Sequence, residues 1–322
     1  ARLHGYDNIP ALAPQATLTM LPYSELQRPL ARIQQTLVAR DYQEIVSYAF
    51  VEEQIERELC GNTDAVALQN PIASNLAVMR SSLLGGLMGA LRFNLNRNQA
   101  RVRLFEIGAC FAKVGNEYVQ TQRLSGLTYG SILSEQWGTA AKPVDFYDVK
   151  ADVEALFAPQ ALRFITATHP ALHPGRSAQI FCGGQMVGWM GELHPQWQQQ
   201  YDMAQAAVWF EVELDALVQA SVPRMSEIAK FLPVRRDLAV LVDETVAVQT
   251  LLDAMQYASA PCVVEVALFD VYRGKGVEKG KKSLAFRVLL QDTQKTLTDL
   301  EIEPSIALLV GVMQKQGAQL RM

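Results

Sequence analysis

Three histidines, one cysteine and one glutamate lie close enough along this chain to make a metal centre conceivable. His169, His173 and His194, with Cys182 and Glu192, could supply one ligand set, and a metal-dependent enzyme would follow. But His169 and His173 each precede a proline, and the residue before proline avoids the helical region. The i, i+4 helical face that an H-E-x-x-H centre needs is therefore absent, and loop histidines bonded to backbone are the competing reading. Cys60, Cys110, Cys182 and Cys262 stand at least 50 residues apart with no C-x-x-C. That spacing excludes a zinc ribbon and a disulfide scaffold, and it fits a reducing cytosol. Gly274-x-Gly276 leads into lysines and a strand pattern, so neither a P-loop nor a dinucleotide fingerprint is present. No G-x-S-x-G occurs, and Glu52-Glu53 reads as a solvated pair.

The basic residues carry more information. Arg80, Arg92, Arg97, Arg101 and Arg103, with Asn94, Asn96 and Asn98, crowd one helical stretch and its exit. They make either a solubilising face or a surface for carboxylate or phosphate, which arginine forks bind bidentately. Overall, 29 Lys and Arg face 33 Asp and Glu, a net charge of −4, so no global basic footprint points to nucleic acid. The balance is uneven, however. From Ile228 onward 12 basic residues face 11 acidic ones, against 17 and 22 before it. Arg235-Arg236 and the group Arg273, Lys275, Lys279, Lys281 and Lys282 make the C-terminal third the place for a polyanion.

These residues need elements to position them. Pro10, Pro14 and Pro22 mark residues 1–15 as the end of an upstream segment and a linker. Leu26, Leu30, Ile33 and Leu37 repeat at helical spacing, and Ile45, Val46, Tyr48 and Phe50 form a β-rich run. A second helix carries Leu83, Leu84, Leu87, Leu91 and Leu95 and is thinned by Gly85, Gly86 and Gly89. Strands are expected at 102–107, 124–129, 178–182, 187–192 and 208–212, with a hairpin turn at Gly183-Gly184. Few helices interrupt them, so residues 16–220 read as an antiparallel α+β domain. A linker at 221–227, around Ser221 and Pro223, precedes strand 237–242, helix 246–257, strands 263–272 and 283–291, helix 299–316 and strand 319–322. Thr298 and Glu301 form a capping box. The order βαββαβ is the ferredoxin-like plan for residues 228–322. No apolar run approaches the roughly 20 residues of a membrane span.

Several motifs then fall into a known order. Arg2-Leu3-His4-Gly5-Tyr6-Asp7-Asn8-Ile9-Pro10, Leu68-Gln69-Asn70-Pro71-Ile72, Met79-Arg80-Ser81-Ser82-Leu83-Leu84 and Leu104-Phe105-Glu106-Ile107-Gly108 resemble segments of the β subunit of bacterial phenylalanyl-tRNA synthetase. Asp145-Phe146-Tyr147-Asp148, His173-Pro174-Gly175-Arg176, Arg235-Arg236-Asp237-Leu238 and Gly280-Lys281-Lys282-Ser283 extend the likeness to almost the whole chain. The resemblance implies a C-terminal portion of that subunit, comprising a class II synthetase-like domain without catalysis and a ferredoxin-fold anticodon-binding domain. It implies an α subunit as partner, tRNA(Phe) as ligand, and a cytoplasmic holoenzyme of two α and two β. ATP and Mg2+ would be used by that holoenzyme, with no cofactor and no metal held by this portion. A free-standing RNA-binding module, or the metal enzyme on His169, His173 and His194, is the alternative.

Loss of catalysis is also legible in the residues. Class II adenylation uses Arg-x-Glu/Asp on a strand, whereas Arg103-Leu104-Phe105-Glu106 has one residue more, so the two side chains face opposite ways. Phe210 to Leu217 contains neither the glycine nor the arginine of the strand–helix motif that neutralises transferring phosphate. Gly86 stands where the family pattern has proline, which would loosen its helix. The subunit interface is expected at Leu87, Leu91, Arg92, Arg97 and Arg101. For RNA, alternation turns Val264, Val266 and Leu268 toward the helices and Glu265, Ala267 and Phe269 outward. Leu284, Phe286, Val288 and Leu290 point inward and Arg287 outward. Phe269 becomes the stacking platform, with Arg235, Arg236, Arg273, Lys275, Lys281, Lys282 and Arg287 on phosphates.

Overall fold

The computed structural model describes residues 1–13, 15–20, 24–220, 222, 225 and 227–321. Pro14 and Pro22 of the expected linker, Ser221 and Pro223 of the expected boundary, and Met322 lie outside the described residues. The chain divides into two compact units, Ala1–Val222 and Pro223–Met322. No described helix is long and apolar enough to cross a membrane.

The first unit is built on a seven-stranded sheet. Its elements are α1 (Leu30–Val38), β1 (Gln43–Glu44), β2 (Phe50–Val51), α2 (Glu53–Leu59), β3 (Val78–Met79), α3 (Leu84–Leu95), β4 (Val102–Val114) and β5 (Glu117–Tyr129). They continue with α4 (Phe146–Phe157), β6 (Leu162–Thr166), β7 (Leu172–Cys182), β8 (Gln185–Leu193), α5 (Pro195–Gln200), β9 (Val208–Glu213) and α6 (Leu214–Val218). The sheet order is β1-β4-β5-β9-β8-β7-β6, antiparallel except where β1 pairs parallel with β4. Gly183 and Gly184 form the two-residue turn between β7 and β8 at positive φ, as their spacing requires.

Alternation along the strands divides the core. Phe105, Leu124, Val208, Phe210 and Val212 pack with α1 and α4 through Ile33, Leu37, Val149 and Val153. Val102, Leu104, Leu127 and Trp209 pack on the other face with Leu84, Leu87, Met88 and Leu91 of α3. The run 45–50 is not one strand. Ile45 N–H still bonds to the Phe105 carbonyl, but Ser47 N–H turns to the Glu106 carboxylate and the chain leaves the sheet. Nor does Gly86 loosen its helix: α3 is continuous, and a Cβ at Gly86 would overlap Ser47 Oγ. The glycine admits the Ser47 segment against the helix.

The second unit comprises β10 (Val234–Asp243), α7 (Val248–Tyr257), β11 (Val263–Tyr272), β12 (Lys281–Leu290), α8 (Asp299–Lys315) and β13 (Gln319–Leu320). The order β11-β12-β10-β13 with antiparallel neighbours is the ferredoxin-like sheet. Leu238, Val240, Leu284, Phe286, Val288 and Leu290 bury one face against Leu251, Met255, Leu309 and Met313 of the helices. Glu301 closes the start of α8 by accepting from Thr298 N–H at 3.0 Å.

One strand departs from simple alternation. β11 slips register between Val263 and Glu265 and again between Leu268 and Asp270. Val264 is the extra residue of the first slip and is 57% exposed, not turned to the helices; Val263, Val266 and Leu268 pack there instead. Phe269 is the extra residue of the second slip and is 52% exposed.

Candidate functional site

On the open face of the second unit, Ala239, Ala285 and Ala267 make a floor of small side chains at the centre of the sheet. Charged residues surround it in matched pairs. Arg235 donates Nε and Nη2 to the two Asp237 oxygens at 2.8 and 2.9 Å, which holds that carboxyl below its ordinary range. The Arg235 guanidinium also lies 5.6 Å from the Phe269 ring centre. Arg287 pairs with Glu265 at 2.5 Å, Lys281 with Glu278 at 2.7 Å and Arg273 with Glu244 at 2.8 Å. Lys275 is exposed and in no ion pair among the described residues.

Two of the residues expected on phosphates stand elsewhere. Lys282 is buried, with Nζ donating to the Glu244 carbonyl at 3.0 Å. Arg236 reaches Asp299 at the start of α8, on the helical side. The reason is strand parity: neighbours on one strand point to opposite faces, so Arg235 and Arg236, or Lys281 and Lys282, cannot both face RNA. That signal was present in the sequence.

The expected interface on α3 also changes. Leu87 and Leu91 are wholly buried in their own unit, because the sheet beneath α3 consumes its apolar stripe. Arg101 is anchored to the carbonyls of Ser131 and Ile132 and to Asp41 at 2.8–3.1 Å. Arg92 borders a small cavity with Glu52, Glu58 and Tyr201. Arg97 lies over the Phe93 ring at 3.4 Å from its centre, and Phe93 is itself 55% exposed.

The histidines do not converge. His169, His173 and His194 each accept at Nδ1 from the backbone N–H two residues on, at 3.2, 3.0 and 3.2 Å. Each is followed by proline, which has no N–H, so the next available donor closes the turn. Among the described residues, no three His, Cys, Asp or Glu side chains gather as a metal centre would need. The pattern favours the backbone-bonded reading over the metal enzyme.

Arg103 and Glu106 are each engaged by a partner within the fold. Arg103 pairs with Asp152 at 2.5 Å, and Asp152 also takes Tyr42 O–H at 2.8 Å and Arg40 at 3.1 Å. Glu106, on the opposite face, pairs with Arg80 at 2.8 Å and accepts from Ser47 N–H and O–H. No shared ligand space holds both. The sequence reading missed how the turn before α3 works. Three consecutive residues each hold a buried carboxylate: Arg80 holds Glu106, Ser81 holds Glu56 through N–H and O–H, and Ser82 donates to Glu211 at 2.8 Å. The polar run Arg-Ser-Ser between apolar neighbours was the available signal, but its partners lie far along the chain.

With the geometry in place, family models match both units. Residues 9–214 match the phenylalanyl tRNA synthetase beta chain CLM domain, and residues 229–321 match the ferredoxin-fold anticodon binding domain. The chain belongs to the phenylalanyl-tRNA synthetase β-chain family. Phenylalanine–tRNA ligase beta subunits of Nitrosospira multiformis and Chromobacterium violaceum are 54% and 51% identical to it, over 322 and 321 residues. That of Dechloromonas aromatica is 49% identical over 330 residues. Each comparison covers the whole of this chain, which spans 41%, 41% and 42% of the respective relatives. Within the family, the first unit contains the part matched to the CLM domain, and the second has the ferredoxin-like fold reached above from element order, which the family model matches as an anticodon binding domain.

Proposed function

We propose that this chain is the non-catalytic portion of a phenylalanine–tRNA ligase β subunit that docks tRNA(Phe) and scaffolds a catalytic α subunit. The attachment of phenylalanine to tRNA would use ATP and Mg2+ at the α subunit, in a cytoplasmic assembly of two α and two β. The observation that carries this reading is the pairing of two matched family domains in one chain with a synthetase-like sheet whose charged residues are internally neutralised. Arg103 and Glu106 lie on opposite faces, each with its own buried partner, so neither is free to bind a nucleotide phosphate. The residues present do not fit a triphosphate. Val46 and Tyr48, 93% and 72% exposed beside the β1 edge, together with Phe93 and Arg97, are the apolar surface offered to the α subunit in place of Leu87 and Leu91.

RNA docking is assigned to the open sheet face and its loop, through Arg235, Phe269, Arg273, Lys275, Lys281 and Arg287. The ion pairs there are at least partly exposed, from 31% at Lys281 to 73% at Glu278, so exchanging a carboxylate for a phosphate costs little. The test is tRNA(Phe) binding across a salt series. Alanine at Arg273, Lys275 and Lys281 together should flatten the log–log salt slope by roughly 2, at about 0.7 per contact. Phe269→Ala should weaken binding by roughly 1–3 kcal/mol per stacked base and leave the slope intact. A triple variant that binds as tightly as the parent at every salt concentration overturns the assignment. Phenylalanine-dependent ATP–pyrophosphate exchange by the isolated chain would overturn the non-catalytic reading.

A further inference from the structure

The sheet face of the first unit that carries Trp209 opens on a cavity of about 360 Å³. This lies at the small end of the roughly 300–1,000 Å³ range of ligand pockets. Trp189, Trp209 and Met186 give it apolar walls, and Arg123, His169 and Glu213 converge on it.

The polar groups are asymmetrically used. Arg123 Nη1 donates to Glu211 at 2.7 Å and to the Ser81 carbonyl at 3.0 Å, which fixes the guanidinium. Its Nε and Nη2 make no hydrogen bond among the described residues, and the side chain is about one-third exposed. Glu211 is satisfied by Arg123, Ser82 O–H and Leu83 N–H, so it competes for no ligand cation. Glu213, exposed and in no ion pair among the described residues, stands directly opposite Arg123 in the β5·β9 register. His169 accepts at Nδ1 from Ala171, which places the proton of its neutral ring on Nε2. Its ring centre is 5.1 Å from that of Trp189 and 5.4 Å from that of Trp209.

Unused donors and an unused carboxylate therefore sit one cross-strand step apart, beside indole walls. A plain anion meets Glu213 and a plain cation meets Arg123; a molecule carrying both charges on adjacent atoms satisfies both. We propose that this cavity binds an aromatic α-amino acid, with its carboxylate toward Arg123 and His169, its ammonium toward Glu213 and its ring against Trp189. This does not depend on the role proposed for the chain, and nothing in the binding calls for catalysis.

The test is calorimetric titration of the 322-residue chain with L-phenylalanine, L-tryptophan, 3-phenylpropionate and 2-phenylethylamine. The amino acids should bind saturably. The acid without the amine and the amine without the acid should each bind at least about tenfold more weakly, the loss of one charge-assisted contact. Glu213→Gln, at an exposed position, should weaken the amino acids by a similar factor and leave 3-phenylpropionate bound no more weakly than before. Ala112→Trp, at an exposed position lining the cavity, should abolish binding of all four while the melting temperature is retained. No saturable binding by either amino acid, equal binding by a half-ligand, or parental affinity in either variant would overturn the proposal.

Discussion

The two units handle charge in opposite ways. In the first, Arg80, Glu106, Arg103, Asp152, Glu56 and Glu211 are nearly inaccessible, and each is held by partners from a distant part of the chain. In the second, Arg235, Arg236, Arg273 and Arg287 pair with carboxylates in water, their side chains 38–56% exposed. A buried pair cannot give up one member without leaving a charge stranded in low dielectric. An exposed pair can exchange partners at almost no cost. Buried charge in the first unit thus specifies a fold, whereas exposed charge in the second is free to exchange partners.

That contrast can be broken at its strongest point. Glu106→Ala leaves the Arg80 guanidinium buried without its carboxylate and should cost the first unit about 3–5 kcal/mol. Urea unfolding followed by tryptophan fluorescence isolates this unit, since all four tryptophans (137, 189, 197 and 209) lie within it. A loss below about 1 kcal/mol would place the pair with the exposed ones.

Acidification sharpens the contrast further. Burial lowers the His169 pKa from 6.5 to about 4, so between these values the unfolded chain binds a proton that the folded chain refuses. Stability of the first unit should be full above pH 6.5 and fall toward pH 4, by on the order of 3 kcal/mol at most. His169→Asn, whose Oδ1 can accept from Ala171 N–H as Nδ1 does, should flatten that part of the profile. An unchanged slope would mean another group titrates there.

Backbone approach gives a smaller effect. Gly86→Ala should destabilise the first unit by about 1–3 kcal/mol, because the new methyl meets Ser47. Gly89→Ala, one turn on, meets open space and should stabilise by about 0.5–1 kcal/mol. Equal effects would show that helix propensity alone governs α3. Last, Asp299→Ala removes the exposed partner of Arg236 and should shift the second unit's calorimetric transition by no more than about 1 kcal/mol.

The second unit was the more legible in sequence, because every element except β11 keeps one period for its whole length. The reading failed at Val264, where the backbone adds a residue, since a bulge changes the phase of a pattern without announcing itself in residue type. Arg236 and Lys282 were misplaced for a different reason: charge was counted without parity. In the first unit, β4 and β5 run well past the expected strands because their far ends, Ala112–Val114 and Glu117–Gln120, are exposed and carry no apolar pattern. Helix α4 was announced by Asp145, which accepts from Tyr147 and Asp148 N–H, but the capping signal went unread. The buried pairs were illegible in principle from local pattern. Their members are 25 to 129 residues apart, and only the fold brings them together.

The position of β9 has a consequence for synthesis. It is the last strand of its sheet to leave the ribosome, yet it takes the central place, between β5 and β8. Until residues 208–213 emerge, the sheet exists as two separate pieces, each with an open edge where β9 will sit. Glu211 travels on that same strand, so Ser82 and Leu83 wait 129 and 128 residues for their acceptor. The unit therefore closes in one late step, and the nascent chain exposes two complementary strand edges until then.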